Sequence, residues 1–277
     1  MQTDPGTLVD LDRHPVHDLR DQRTVTLANR CRAALHGTGV ATVADFVRPS
    51  TVAAIVADAM QCAPAAHHQD LLGSAYLEFP ADHWPPDHPR RALGRSALTA
   101  IPYDDVPANS PLRALYAWNG LLDFIAHVLE VPNLYRYDDD LGAVNVAIMN
   151  NGDELAWHFD QTDFVVSIAL QSSESGGDFE CVPMLRTLED ERYADVAATL
   201  AGDGADQTTT VPMTPGTLMF FAGRHSLHRV TPVLGDAARY VALLGYDTQP
   251  GTCSSDLLRQ VRYGRTRARR SPPLDNP

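Results

Sequence analysis

The sequence lacks the features of a membrane or secreted protein. No uncharged apolar run approaches the roughly 18 residues that a bilayer-spanning helix needs. The opening residues contain no basic region followed by an apolar stretch, so no secretory signal is evident. The 4 cysteines are scattered without a C-x-x-C pair, which disfavours a zinc site or a disulfide framework. We therefore expect a cytoplasmic protein with reduced thiols and no membrane partner.

Positive charge is also scarce. The chain has 22 Lys and Arg against 35 Asp and Glu, a formal net charge of −13. Binding to a phosphate backbone requires a positive field, so we expect no nucleic-acid partner. The exception is a run of six arginines between Arg259 and Arg270. We interpret residues 256–277 as a solvated basic tail.

The 277 residues, 44% of them hydrophobic, suffice for one sizeable core. Residues 1–20 are polar and contain proline, and we predict that they are disordered. A single domain is expected over residues 21–255. It would have a helical and loop annex over 21–132 and a β core over about 133–250.

Helical periodicity predicts helices near residues 24–35, from Pro49 onward and over 111–130. Residues 64–106, rich in His, Pro and Asp, are expected to form long loops that cover an active site. A helix with a loop is expected within about 185–205. Strands are predicted over residues 40–43, 143–149, 157–159, 164–170, 179–182, 208–213, 218–221 and 240–246. So many short strands indicate a mainly β protein, a double-sheet jelly roll with N-terminal and flanking helices.

A short segment within the β region carries a metal-binding pattern. In an extended strand, residues i and i+2 project to the same side, so His158 and Asp160 can face one point. A third ligand is available after the strand at 218–221, in an expected loop that carries His225 and His228. Two histidines and one carboxylate on one face form a site that holds Fe(II) and leaves positions open.

An arginine follows this segment at a defined distance. Ten residues separate His228 from Arg239, which stands at the head of an apolar strand. A buried guanidinium there needs an anionic partner, and a carboxylate bound through two parallel hydrogen bonds suits it best.

The order H-x-D, distal His and then Arg resembles the 2-oxoglutarate and Fe(II)-dependent oxygenase superfamily. The Gly176-Gly177-Asp178-Phe179 segment also resembles a turn and strand of that family. The resemblance implies a double-stranded β-helix, iron ligands His158, Asp160 and His228, and binding of the far carboxylate of 2-oxoglutarate by Arg239. It favours His228 over His225 because the family's ligand lies just ahead of an apolar-x-Pro-Val run, as in His228-Arg229-Val230-Thr231-Pro232-Val233.

One position departs from the family pattern. Many members have Ser or Thr two residues after the arginine, but this chain has Val241. The second hydrogen bond to the co-substrate would then come from Thr217, Asn145 or a tyrosine.

The resemblance implies Fe(II), 2-oxoglutarate and O2 as cofactor and co-substrates, with release of succinate and CO2. Halogenases of the superfamily carry Gly or Ala in place of Asp160, which leaves a site for chloride. The carboxylate in this chain therefore favours hydroxylation, or another oxidation such as desaturation or ring formation, over halogenation.

The segment Asp87-His88-Pro89-Arg90-Arg91, the Asn145 strand and His158-Phe159-Asp160 resemble a bacterial subfamily of free amino-acid hydroxylases and radical halogenases. This implies a small-molecule substrate, a free amino acid. Candidate substrate contacts near the mouth are Gln161, Asp163, Arg224, Arg90, Arg91 and Arg95.

Two alternatives remain open at this point. A peptide or protein hydroxylase would need a groove, and an ordered cover from residues 64–106 over the iron would count against it. A non-catalytic jelly-roll binding module is the other.

Overall fold

Alternation of inward and outward side chains along the central strands organises this protein. The computed structural model describes residues 4–78 and 82–269. On one strand, Val146 and Ile148 belong to the hydrophobic core beneath the helices, whereas Asn145, Ala147 and Met149 line an internal cavity. The sheet therefore has one face covered by helices and one that encloses a cavity, as the two-residue period of a strand requires.

The helices lie mainly before the β region. The first long one begins after Asp21, whose carboxylate accepts a hydrogen bond from the Arg23 backbone NH, and ends at Gly39, which has φ 66°. No helix within the described ranges is long and apolar enough to cross a membrane. The helices are α1 (Pro5–Leu8), α2 (Gln22–Thr38), α3 (Pro49–Cys62), α4 (Pro111–Ala117), α5 (Asn119–Leu129), α6 (Tyr193–Ala201) and α7 (Asp256–Tyr263). Short 3-10 turns span Ala63–Ala65, Pro89–Arg91, Tyr103–Asp105 and Ala205–Gln207.

The strands form a curled antiparallel sheet of jelly-roll type, which confirms the predicted fold class. Its strands are β1 (Val40–Val43), β2 (His67–Ser74), β3 (Leu93–Ile101), β4 (Tyr135–Arg136), β5 (Val144–Met149), β6 (Leu155–His158), β7 (Val165–Gln171), β8 (Ser175–Gly176), β9 (Phe179–Val182), β10 (Thr209–Val211), β11 (Leu218–Phe221), β12 (Leu227–Val230), β13 (Val233–Leu234), β14 (Arg239–Leu244) and β15 (Tyr246–Asp247). The order is β1-β11-β7-β14-β5-β3-β6-β12-β9-β10, with β2 beside β3. Two small pairs, β13 with β8 and β15 with β4, lie outside this path.

The prediction of a disordered N-terminus is wrong for residues 4–20. Leu8, Val9 and Val16 are buried in the main core. Val9 also forms a bridge with Val47. Three apolar anchors thus hold a segment of polar average composition, and residues 1–3 lie outside the described residues.

Residues 64–106 are not simply loops, because β2 and β3 pair along their whole length as a hairpin. The alternation in β2 is weak, since this edge strand reads His-His-Gln-Asp where a buried strand would be apolar. The segment between the strands packs beside the metal-site strand, with the Phe159 backbone NH donating to the Ala75 carbonyl. Residues 79–81 lie outside the described residues.

Two further expectations need correction. The helix predicted over 111–130 is divided at Trp118 into α4 and α5. The basic tail predicted from residue 256 begins as α7, with Ser255 at its N-terminus and Gly264, φ 68°, at its C-terminus. Residues 270–277 of that expected tail lie outside the described residues.

Candidate metal centre and active site

Three side chains converge at one end of the sheet. His158 ends β6, Asp160 follows it, and His228 lies on β12 directly opposite His158 in the antiparallel pairing. One ligand atom from each residue lies within 4.8 Å of the other two. The Asp160 carboxylate oxygens lie 4.0 Å from His158 Nε2 and 3.5 Å from His228 Nε2. The loop expected for His228 is in fact a strand, which holds His228 opposite His158 through backbone pairing.

Backbone carbonyls orient both imidazoles. His158 Nδ1 is 2.7 Å from the Ala156 carbonyl oxygen, and His228 Nδ1 is 3.0 Å from that of Ser226. Each carbonyl assigns the proton to Nδ1, so the Nε2 lone pairs face Asp160. Burial and the neighbouring His228 lower the pKa of His158 to about 4, so this imidazole is neutral at pH 7. Two imidazole nitrogens and one carboxylate fit Fe(II).

A glycine makes room for the carboxylate ligand. A Cβ at Gly223 would lie 1.7 Å from Asp160 Oδ2, a separation that no real Cβ tolerates. The Gly223 carbonyl also accepts a hydrogen bond of 3.0 Å from the Asp160 backbone NH. Asp160 can therefore occupy this position only because residue 223 is a glycine and has no Cβ.

His225 lies outside the cluster of possible ligands, among the described residues. Its carbonyl accepts a 3.1 Å hydrogen bond from the Arg186 backbone NH. The His228 ring instead packs edge-on against Phe221 and tilted against Phe179, with ring centroids 4.7 and 5.5 Å apart. The group that could hold a metal ion therefore includes His228 and not His225 among the described residues.

The metal cluster opens into a cavity of about 260 Å³ inside the curled sheet. Arg239 lines this cavity and is only 8% exposed. No carboxylate of the described residues forms an ion pair with it. Burial lowers the pKa of Arg239 to about 10, and distant Asp178 opposes that shift. Its guanidinium contacts the Met149 sulfur at 4.0 Å, and a buried guanidinium without an anionic partner fits a ligand carboxylate.

Asn145 and Ser167 face the same cavity from β5 and β7. Asn145 Oδ1 and Ser167 Oγ are buried and have no hydrogen-bond partner among the described residues. Thr217 has a different setting, because its hydroxyl is 3.1 Å from that of Thr214 and it does not line the cavity. Ser167 was not expected from the sequence, although its position on an alternating strand is a usable signal.

The rim candidates bind one another. Arg224 forms an ion pair with Asp163 and donates a hydrogen bond to the Gln161 carbonyl. Asp163 and Gln161 are exposed, and none of these three lines the cavity. The cluster shapes the loop beside Asp160.

The other three arginine candidates also lie away from the cavity, where each has partners. Arg90 forms ion pairs with Glu78 at 2.6 Å and Glu191 at 3.2 Å. The Arg91 guanidinium donates to the Trp84 carbonyl at 3.1 Å. Arg95 binds both oxygens of Asp70, at 2.9 and 3.0 Å, on the β2-β3 hairpin.

The segment expected to be a solvated tail contributes cavity residues instead. Leu258, Arg262 and Tyr263 line the cavity beside Ser254, which precedes that segment, and Tyr263 is only 7% exposed. A sequence signal for this helix exists, since Ser255 and Gly264 are typical residues for a helix start and end.

Comparison with known proteins supports this reading. The family model described as Halogenase D matches residues 91–260. A search of curated proteins finds no match.

Solved structures share the fold at low sequence identity. AviO1 from Streptomyces viridochromogenes Tue57 is 18% identical, with TM-score 0.53, covering 84% of this chain and 97% of that one. The epimerase SnoN in complex with Fe3+, alpha ketoglutarate and nogalamycin RO is 15% identical, with TM-score 0.55 and coverages of 83% and 93%. A 2OG-Fe(II) oxygenase family member from Burkholderia pseudomallei is 12% identical, with TM-score 0.50 and coverages of 80% and 91%.

The matched segment spans more than half of the chain and includes the metal cluster and Arg239. The chain therefore belongs to the Halogenase D family, within the 2-oxoglutarate and Fe(II)-dependent oxygenase superfamily.

Proposed function

We propose that this protein hydroxylates, or otherwise oxidises, an unactivated C-H bond of a free amino acid or similar small molecule. The observation that carries the proposal is one cavity shared by the His158, Asp160 and His228 cluster and by unpaired Arg239. When bound, Fe(II) with 2-oxoglutarate and O2 supplies the oxidising chemistry and yields succinate and CO2.

The residues of the chain position these groups and exclude water. His158, Asp160 and His228 hold the metal on one side, so its remaining positions face the cavity. Arg239 binds the far carboxylate of 2-oxoglutarate. The apolar walls, which include Phe179 and Phe221, keep water away from the reacting bond.

The cavity size favours a small substrate. Its volume of about 260 Å³ is below the roughly 300–1,000 Å³ of pockets for drug-sized ligands. The ordered segment that carries Ala75 also packs against Phe159, next to the metal ligands. The described residues of 75–92 do not line the cavity, so the expected cover is not present there, and it is the small volume that disfavours the groove a peptide hydroxylase would need.

Asp160 bears on the reaction type. Its carboxylate lies within the metal cluster, although halogenases of the superfamily have a small residue there. We therefore propose oxidation without halide transfer for this member of a family described by a halogenase.

The test is to incubate Fe(II)-loaded enzyme with 2-oxoglutarate, ascorbate and each common amino acid in turn. Succinate and product mass are measured, with the His228→Ala variant as the inactive control. We expect one amino acid to gain one oxygen, or to lose two hydrogens, with matching succinate. Oxygen transfer to a peptide but to no free amino acid would establish the peptide-hydroxylase alternative, and chlorination would contradict the role of Asp160.

A further inference from the structure

The residues that follow β15 form a cap over the cavity, and buried acids anchor it. Arg265 places its guanidinium 2.7 and 2.8 Å from the two oxygens of Asp104, and 2.9 Å from Asp105. The Arg269 backbone NH donates to Asp104 at 2.7 Å. The Asp104 side chain is fully buried, so this anchor is desolvated.

Asp139 forms a second anchor at the start of the cap. Its carboxylate accepts hydrogen bonds from the backbone NH groups of Leu141, Gly142 and Ser254, and Arg259 lies 3.1 Å away. Burial raises the pKa of Asp139, but these donors together hold it below its ordinary value. The arginines that pair with acids thus fix the position of α7.

Arg262 differs from these anchoring arginines. It is half-buried on α7 and lines the cavity that contains His158 and Arg239. It has neither an ion pair nor a hydrogen-bond partner among the described residues. A partly desolvated guanidinium without an anionic partner is energetically unfavourable. Arg262 is therefore a second cation of the cavity that lacks a counter-charge.

The charges of the cavity indicate what this cation binds. Among the described lining residues, Asp160 is the sole carboxylate and Arg239 and Arg262 are the cations. With Fe(II) and the 2-oxoglutarate dianion bound, one positive charge is left without a counterpart. We infer that Arg262 binds the carboxylate of the substrate, so that the substrate is a carboxylic acid and its carboxylate is held by α7.

This inference rests on the proposed function and narrows its substrate class. No second acid lines the described cavity, so an ammonium group would meet only neutral acceptors there. Neighbouring Tyr263 belongs to the same apolar cluster as Leu98 and Met219. The carboxylate is therefore the recognised charge, and an apolar wall lies beside it.

The experiment compares acids with their uncharged amides. Anaerobic enzyme loaded with Fe(II) and 2-oxoglutarate is titrated calorimetrically with the common L-amino acids, with the alkyl carboxylates from acetate to hexanoate, and with the carboxamide of each. For the acid that binds most tightly, we expect the unmodified protein to bind the acid about thirtyfold or more tightly than it binds the corresponding amide. In Arg262→Gln that preference falls to about twofold or less, while affinity for 2-oxoglutarate is retained.

Matched variants separate recognition from folding. Arg267→Gln removes the same charge from an exposed residue of the same segment and should keep the full preference. Arg262→Lys should keep part of it, because the charge is retained without the planar pair of donors. Unchanged 2-oxoglutarate affinity in Arg262→Gln shows that the site is intact.

Any of three results would overturn the inference. No tested carboxylate binds the unmodified protein, or Arg262→Gln keeps the preference for acid over amide. The third is that Arg262→Gln loses affinity for 2-oxoglutarate instead. Failure of the proposed function looks different. Acids would then bind through Arg262 without any product that gains oxygen or loses hydrogen.

Discussion

Replacing Gly223 by alanine tests how the metal site is built without touching a ligand. The new Cβ would lie 1.7 Å from Asp160 Oδ2, 2.6 Å from its Cγ and 2.8 Å from its Cβ. Rotation of the carboxylate tip relieves the first contact but not the last. Asp160 must therefore leave its place, or the backbone that joins it to residue 223 must shift.

The expected cost falls on metal binding. Changes to residues that merely support a metal ligand weaken binding by about 10–100-fold, so displacement of a ligand should cost at least that much. Gly223 does not need a positive φ, and thus the substitution acts through steric contact alone. Gly37→Ala is the matched control, because nothing lies within 4 Å of the added atom.

The assay is an anaerobic titration with Co(II), an oxygen-stable substitute for Fe(II), with the thermal midpoint measured in parallel. A double-mutant cycle isolates the cause, since Gly223→Ala should add almost nothing in an Asp160→Gly background. A metal affinity in Gly223→Ala equal to that of the unmodified protein would refute the steric argument. An equal loss in both backgrounds would show that the effect bypasses Asp160.

Further outcomes follow from the site and its cap. His228→Ala should lose metal binding while His225→Ala retains it, as measured by metal content after dialysis. Arg239→Ala should weaken 2-oxoglutarate binding by about 2–5 kcal/mol, roughly thirtyfold to several thousandfold, in calorimetry. Asp139→Ala should destabilise by about 3–5 kcal/mol and expose the cap to protease, unlike exposed Asp138→Ala. Since the folded pKa of Asp139 is depressed, its stabilisation is present above its ordinary pKa and is lost as pH falls through the lower value, which acid unfolding would show.

Local patterns predicted the parts of the molecule that local physics determines. The helix α2 has its capping residues and apolar spacing in one continuous stretch, and the structure confirms it. The metal cluster follows from an i, i+2 pair on one strand and a single distant histidine, which the structure brings within 4.8 Å. Such features can be predicted with little knowledge of the rest of the chain.

The features that were missed depend on distant partners. The six arginines read as a solvated run because Asp104, with which Arg265 pairs, is 161 residues away. The hairpin strand β2 is polar because it pairs along one edge only, with β3. The four arginines assigned to substrate each lie near an acid whose position only the fold reveals: Glu78 for Arg90, Asp82 for Arg91, Asp70 for Arg95 and Asp163 for Arg224.

The pairing of His158 opposite His228 gives the metal a mechanical role. The two residues are direct partners on antiparallel strands and lie 70 positions apart in the chain. An ion held by both fastens the ends of that long loop, whose closure is otherwise entropically unfavourable. At a free metal concentration about 1,000 times Kd, binding adds about 4.1 kcal/mol to the folded state. The ion would thus link strands β6 and β12 in addition to its role in the reaction. Removing it with a chelator should therefore lower the stability of the folded protein as well as abolish its activity.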